Sequence, residues 1–383
     1  MSPASEISSF DHFPVRLGQK LNKNRYQIMH KLGSGLFSST WLVTDAESEF
    51  LDIHTNKYLA VKILMLEGTR AHRKGESREL LFLQQIAACE DIISLPVLKD
   101  SFEEQGPEGT HLSPTKALPL HAVKIIVLRT LEGLAQLHEI NIIHTDLKLD
   151  NILFNMIRGD PHVEEQLSSE SVIEDGEVEV KGQKYPILRS QPIHHGYAWD
   201  VTPFLAELMS FCLTDLGQAQ RAGEQPIVNE FSAYALRAPE LLLRSDFGPK
   251  IDIWALGCIT FEMLTGRWLF APKAGSDWSL EDDHLAKMVE LTGEKFSASM
   301  LQRAHFRDRY FNENGDLLRE VVVPGENIDK ALAVYGTLKD NEIREAAAFI
   351  RACLRLDYKD RASAKELEIH PWLLTTTCNH YHH

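Results

Sequence analysis

The first regular pattern along the chain is a half-alternation of apolar and polar positions from Tyr26 to Leu32. It breaks at Gly33-Ser34-Gly35 and resumes over Ser39–Val43, which predicts two strands joined by a turn. Leu59–Leu64 reads as another strand. The spacing then changes: 76–88 is helical, with Leu80, Leu83 and Ala87 on one face, and Ile92–Phe102 returns to strand and turn before Gly106-Pro107. The clearest helix is His121–Glu139, where Val123, Ile126, Val127, Leu131, Leu134 and Leu137 recur at three and four. A short apolar strand, Asn151–Phe154, follows. Asp252–Leu264 is apolar nearly all round, the mark of a helix buried inside a large lobe. Further helices are predicted over about 282–291, 341–356 and 363–370. No internal repeat is present.

The pattern is strand-rich first and helix-rich afterwards, and 383 residues suffice for two lobes around a shared cleft. Composition adds constraints. The formal charge of −15 argues against direct nucleic-acid binding, which needs clustered Lys and Arg, and suits a basic partner. Eight acidic residues fall within 158–180 (Asp160, Glu164, Glu165, Glu170, Glu174, Asp175, Glu177 and Glu179), and the segment reads as a solvated insertion. The five cysteines are scattered and show no CxxC spacing, so neither a disulfide framework nor a zinc site is expected, and reduced thiols in an intracellular compartment are. The start of the chain has no apolar run of signal-peptide type, and no stretch approaches the roughly 20 apolar residues of a membrane span. Residues 1–20 read as a loose lead-in, and Cys378–His383 as a frayed terminus rather than a metal site.

Candidate chemistry sits at the breaks between elements. Leu32-Gly33-Ser34-Gly35-Leu36-Phe37-Ser38 joins two strands, and its glycines would let backbone N–H groups approach phosphate oxygens. Two glycines between strands are also an ordinary hairpin. Lys62 lies in the apolar strand Ala60-Val61-Lys62, where its charge needs a partner. Glu79 on the following helix is the expected one. Directly after the long helix comes His144-Thr145-Asp146-Leu147-Lys148-Leu149-Asp150-Asn151. There Asp146 would accept or orient a substrate hydroxyl, Lys148 would offset phosphate charge, and Asn151 would offer an amide oxygen to a metal ion. Phe211–Gly217 ends an apolar run in Asp215-Leu216-Gly217, a second hard oxygen ligand suited to magnesium. Glu240 in Ala238-Pro239-Glu240 is expected to pair with Arg361. Asp252 is expected to cap its helix, with bracing of the catalytic loop as a second possible role.

These motifs, in this order, are similar to those of the eukaryotic protein-kinase fold over about residues 15–373. Val15-Arg16-Leu17-Gly18, Lys31–Leu42, Thr145 in place of arginine, Asp282-Asp283-His284-Leu285 and Phe311–Gly315 further resemble the SR-protein kinases, and the long acidic insertion resembles fungal members of that family. The resemblance implies an α+β fold of two lobes: a mainly β N-lobe over 21–112, and a mainly α C-lobe over 113–383 carrying the acidic insertion at about 155–200. It implies ATP and Mg2+ as cofactors, with Leu32, Gly33, Ser34, Gly35, Leu36, Phe37, Ser38, Thr40, Ala60, Lys62 and Leu153 around the nucleotide and Asn151 and Asp215 on the metal. Asp146, Lys148, Lys62 and Glu79 would be catalytic. Basic Arg/Ser-rich proteins would be the substrates, with Asp282 and Asp283 either helping to dock them or serving as plain dipole complements at a helix N-terminus. A monomer in the cytoplasm or nucleus is expected, and Thr145 implies activity independent of activation-loop phosphorylation.

One stretch departs from the pattern. A strand, a hinge and a short helix take on the order of 20 residues, whereas only about six separate Leu112 from the start of the long helix. The hinge is the segment whose backbone would bond adenine. Two classes of function therefore stay open: an active serine/threonine kinase, or a catalytically impaired binding or scaffold protein.

Overall fold

A computed structural model of the chain describes residues 14–35, 38–47, 57–102, 118–155, 160–180, 182–193, 202–224, 231–319, 321, 325 and 327–374. Leu36 and Phe37 of the glycine-rich turn, residues 113–117 of the shortened stretch, and the tail 378–383 lie outside the described residues. The chain divides into two compact units. The first comprises the described residues within 1–77, 98–113 and 156–196, and the second those within 78–97, 114–155 and 197–383.

In chain order the elements are strands β1 (Lys20–Leu21), β2 (Tyr26–Ser34), β3 (Ser38–Asp45) and β4 (Tyr58–Leu64), then helices α1 (Leu66–Arg73), α2 (Glu79–Ala87) and α3 (Leu120–Glu139). Strands β5 (Ile142–Ile143) and β6 (Ile152–Asn155) flank the catalytic loop. Helix α4 (Asp160–Ser169) and strands β7 (Glu174–Val180) and β8 (Gln183–Leu188) form the acidic insertion. Helix α5 (Pro203–Glu207), β9 (Ser210–Leu213), β10 (Gln220–Arg221), α6 (Pro239–Leu242), α7 (Lys250–Thr265) and α8 (Leu280–Thr292) follow, and shorter helices and Asp340–Cys353 complete the chain.

The first unit is built on an antiparallel sheet of order β1-β2-β3-β4. Its core is small: Val15, Leu21, Tyr26, Ile28, Trp41 and Val43, closed by Leu188 from the insertion and by Phe102, which stacks on Tyr26. Residues 92–102 contain no strand, contrary to the sequence pattern, so β4 forms one edge of the sheet among the described residues.

The insertion is the main correction to the sequence reading. Its acidic side chains are mostly exposed, as read, but it is an ordered helix and hairpin grouped with the first unit rather than with the C-terminal part. Three cations and a histidine ring hold it there. Lys31, 5% exposed, donates to Leu188 O at 3.0 Å, and Arg16 donates to Lys184 O at 2.8 Å while lying over the Tyr185 ring. Lys57 pairs with Glu164. His30 Nε2 meets Gln191 O at 2.8 Å, beside a backbone bond from Gln191 N to Lys31 O. Burial pushes the Lys31 ammonium below its ordinary value, and the Asp175 charge opposes that shift.

The second unit is helical around α3, α7 and Asp340–Cys353. Twelve residues of α3 are buried, which follows from its three-and-four spacing. In α7, Gly257 sits where an added Cβ would meet the Cys353 Cβ at 2.7 Å, so the glycine permits close helix contact. α2, assigned by sequence to the N-lobe, groups with this unit and buries Phe82 and Ile86 rather than Leu80 and Ala87. The Glu240–Arg361 pair lies fully buried here, at 2.8 and 3.0 Å.

Candidate active site

The catalytic loop hangs between β5 and β6, and each strand is pinned by a strand from the segment that follows. β6 pairs with β9, setting Ile152 opposite Leu213, and β5 pairs with β10, setting Ile143 opposite Gln220. The loop backbone is strained at Thr145, whose φ is +66°. A non-glycine residue held there costs on the order of 1–2 kcal/mol and persists only where its surroundings over-determine it. They do so here. Asp252, 1% exposed, accepts from His144 N at 2.9 Å, Thr145 N at 2.8 Å and His138 Nε2 at 2.9 Å. Thr145 Oγ1 donates to Gln218 O at 2.7 Å, Ser232 Oγ donates to Thr145 O, and His144 Nε2 meets Thr214 O at 2.9 Å. Asp252 thus braces the loop as well as standing in the first turn of α7.

The side chains of the loop converge. Lys148 Nζ lies 2.6 Å from Asp146 Oδ2, and Asn151 Nδ2 donates to Asp146 O at 2.8 Å. Because Asn151 turns its amide nitrogen to the loop, its amide oxygen is the atom left for a metal ion, an orientation assigned from this bonding. Asn151 is itself fixed by Thr214, whose backbone N–H and hydroxyl donate to Asn151 O at 2.7 and 3.1 Å. The next residue, Asp215, is exposed and also left-handed, with φ +64°. Near it, an added Cβ at Gly217 would lie in tight contact 3.2 Å from Asp215 Oδ1 and in ordinary contact 3.8 Å from Glu79 Oε2. α2 therefore brings the Glu79 carboxylate beside the Asp215–Gly217 turn.

This donor set suits magnesium. Among the described residues no group of three or more His, Cys, Asp or Glu forms a closed metal cage. One carboxylate and one amide oxygen match an ion that keeps water and takes its other ligands from a bound phosphate.

In the first unit, the sheet register sets Gly33 opposite Thr40 and Thr40 opposite Lys62, so the glycine turn, Thr40 and the lysine lie abreast on three strands. Gly35 N closes the turn by donating to Ser38 O at 2.6 Å. Leu32, Gly33 and Ser34 end β2, Ser38 and Thr40 open β3, and Ala60 and Lys62 are exposed positions of β4. Leu153, on β6 of the second unit, is 51% exposed.

Asp282 and Asp283 take the helix N-terminal part of the two read in the sequence. Asp282 completes a capping box with Ser279 and pairs with Arg319 at 3.1 Å. Asp283 accepts from Lys273 N at 2.8 Å and Lys287 Nζ at 2.7 Å. Both are buried and engaged in structure.

Residues 26–164 and 204–373 match the protein kinase domain family, leaving the hairpin of the insertion outside the match. The serine/threonine-protein kinase SRPK of Physarum polycephalum is 28% identical over 390 residues, spanning 94% of this chain and 88% of that protein. Protein kinase dsk1 of Schizosaccharomyces pombe is 24% identical over 475 residues, spanning 94% and 83%. SRSF protein kinase 3 of Mus musculus is 30% identical over 171 residues, which is 45% of this chain and 30% of that protein. Among solved structures, the PF14_0431 kinase domain superposes with a TM-score of 0.62 at 23% identity, covering 94% of this chain and 98% of that one. That likeness bears on the fold, which is the two-lobed kinase fold.

Proposed function

The chain belongs to the protein kinase domain family and is a protein serine/threonine kinase, and on that premise we propose that it transfers the γ-phosphate of ATP to serine in basic, Arg/Ser-rich proteins. The observation that carries the chemistry is the 2.6 Å approach of Lys148 Nζ to Asp146 Oδ2, with Asn151 locking the Asp146 backbone from below. In this reading Asp146 receives the substrate hydroxyl and Lys148 offsets charge on the transferring group. Asn151 and Asp215 hold magnesium, which when bound neutralises the phosphates. By the family resemblance, the glycine-rich stretch Leu32–Ser38 is assigned to the phosphates, and Thr40, Ala60 and Leu153 to the base. By the same resemblance, Lys62 is assigned to the α- and β-phosphates and Glu79 to its orientation.

Three observations support the substrate class. The relatives include SRPK and SRSF protein kinases, and the chain carries a formal charge of −15. The second unit also has a groove of about 550 Å³ beside Asp282. Asp277, Glu281 and Asp308 line it with Tyr310; of its two arginines, Arg319 is paired with Asp282. With Asp282 and Asp283 engaged in structure, these neighbouring carboxylates are the groups offered to arginine.

The test is a phosphotransfer assay comparing an Arg/Ser-repeat peptide with its Lys/Ser counterpart, with Asp146→Asn as the blank. Transfer to the first peptide, weakened through KM by joint Asp277→Lys and Asp308→Lys changes, is expected. Equal use of both peptides would remove the substrate reading, and no transfer by the unmodified chain would remove the activity.

A further inference from the structure

The two edges of the first unit's sheet are guarded very differently. One edge is β1, which is two residues long and runs straight into Asn22, Lys23 and Asn24, all left-handed at φ +44° to +72°. Brevity and an irregular backbone keep other strands away from such an edge. The other edge is β4, and among the described residues no strand pairs beyond it. It is seven residues long, holds no proline, and pairs with β3 residue for residue without a bulge. Lys62 is its one charge. The sequence pattern expects a further strand over 92–102, but the end of that segment is held at the start of β2. There Phe102 stacks on Tyr26, and Asp100 accepts from Tyr26 Oη and Asn22 Nδ2, both at 2.9 Å. Lys57, just before β4, pairs with Glu164 of α4, so the unpaired ladder begins at Tyr58.

β4 also carries unfinished apolar surface. Leu59, Val61 and Ile63 share one face, pack on the small core and stay half-buried. An unguarded strand with an apolar row is a template for one more antiparallel strand. The same strand of a second copy fits that place. Turned over on Val61, it sets Val61 against Val61, Leu59 against Ile63, Tyr58 against Leu64 and Ala60 against Lys62. The apolar row and the core beneath it then continue across the seam, and no two lysines stand opposite each other. A strand paired with itself about a two-fold axis forms a closed contact, so assembly stops at two copies.

We propose that β4 is a dimerisation edge, at which two copies join their sheets antiparallel about Val61. The monomer expected from the family resemblance then exists only in dilute solution. One seven-residue seam is a small interface, so association is on the order of micromolar or weaker. Each copy carries a formal charge of −15, so added salt should tighten the dimer by screening repulsion.

The experiment is sedimentation of the full chain without nucleotide, from micromolar to submillimolar concentration, with hydrogen exchange of the β4 amides at both ends of that range. The mass should rise towards that of two chains, and exchange over 58–64 should slow with it. Ala60 is exposed and faces Lys62 of the other copy twice per dimer. Ala60→Glu should therefore tighten association about two- to thirtyfold, and Ala60→Lys should loosen it by a similar factor. If Ala60→Lys loses protection throughout the first unit, Ala60→Glu decides by its opposite sign. A chain that stays monomeric at submillimolar concentration and high salt, protection gained outside 58–64, or equal effects of the two charges overturns the proposal. So does exchange over 58–64 that is already slow in the dilute chain, which would mean that the strand is covered from within. None of these readouts uses phosphotransfer, so they stand apart from the kinase reading.

Discussion

Asp252 Oδ1 lies 2.8 Å from the Thr145 backbone nitrogen, and through that contact a residue of the buried helix α7 holds a strained residue of the catalytic loop. The same carboxylate takes the His144 N–H. Asp252→Ala leaves both N–H groups without acceptors in a buried site, at about 1–3 kcal/mol each. Denaturant unfolding should therefore show a loss of several kcal/mol, and kcat should fall because the loop relaxes. Full activity in a folded Asp252→Ala protein would show that the brace is dispensable.

The Arg361 guanidinium grips both oxygens of Glu240 and also donates to Lys250 O at 2.7 Å, in a site where both side chains are 0% exposed. Breaking such a pair from one side leaves a buried charge uncompensated and costs about 3–5 kcal/mol. Glu240→Gln and Arg361→Met should each lower the unfolding midpoint sharply. Arg361→Lys should rescue little, because an ammonium cannot reproduce the fork. At temperatures where the variants stay folded, kcat should be near that of the unmodified chain, since neither group touches the reacting atoms. A large loss of kcat without loss of stability would contradict this division of roles.

How far the sequence revealed these features follows from how local each one is. Asp146, Lys148 and Asn151 stand within six residues, so their order could be read directly, and the helix before them announced itself by its spacing. The Glu240–Arg361 pair and the Asp252 brace join partners over a hundred residues apart, which no local pattern displays, so the sequence offered them as expectations from the order of the motifs. The acidic insertion was misplaced for a physical reason: composition counts its charges but does not show that Lys31, Arg16 and His30, far upstream, bond its carbonyls or that Lys57 pairs with Glu164. For Asp282 and Asp283 two readings stayed open, since a capping carboxylate and a docking carboxylate look alike in sequence, and the structure shows the helix N-terminal one.

Nucleotide binding separates the two functional classes that the shortened stretch left open. A ligand that binds only the folded state stabilises it by RT ln(1 + [L]/Kd), about 2.7 kcal/mol at a hundredfold excess over Kd. Mg·ATP should therefore raise the Tm of the unmodified chain. Asp215→Asn should lose the part of the shift that depends on magnesium, and Lys62→Met most of the rest. Absence of any shift at millimolar Mg·ATP would favour the catalytically impaired binding protein.

His284 gives the molecule a distinct acid response. It is fully buried between Tyr234 and Phe270, with Lys287 and Arg237 as the nearby cations, and neither ring nitrogen has a hydrogen-bond partner among the described residues. Burial, reinforced by those two cations, pushes its pKa down from 6.5 to about 3. Between those values the unfolded chain binds a proton that the folded chain refuses. Stability from the neutral ring is thus complete above about pH 6.5 and is lost as the pH falls towards 3, with a slope of up to about 1.4 kcal/mol per pH unit. His284→Phe keeps an aromatic ring in the site and removes the titration. Urea unfolding at stepped pH should show the unmodified chain losing stability faster than this variant below pH 6.5, with parallel curves above it. Curves that stay parallel down to pH 4 would mean that the ring is not buried in its neutral form.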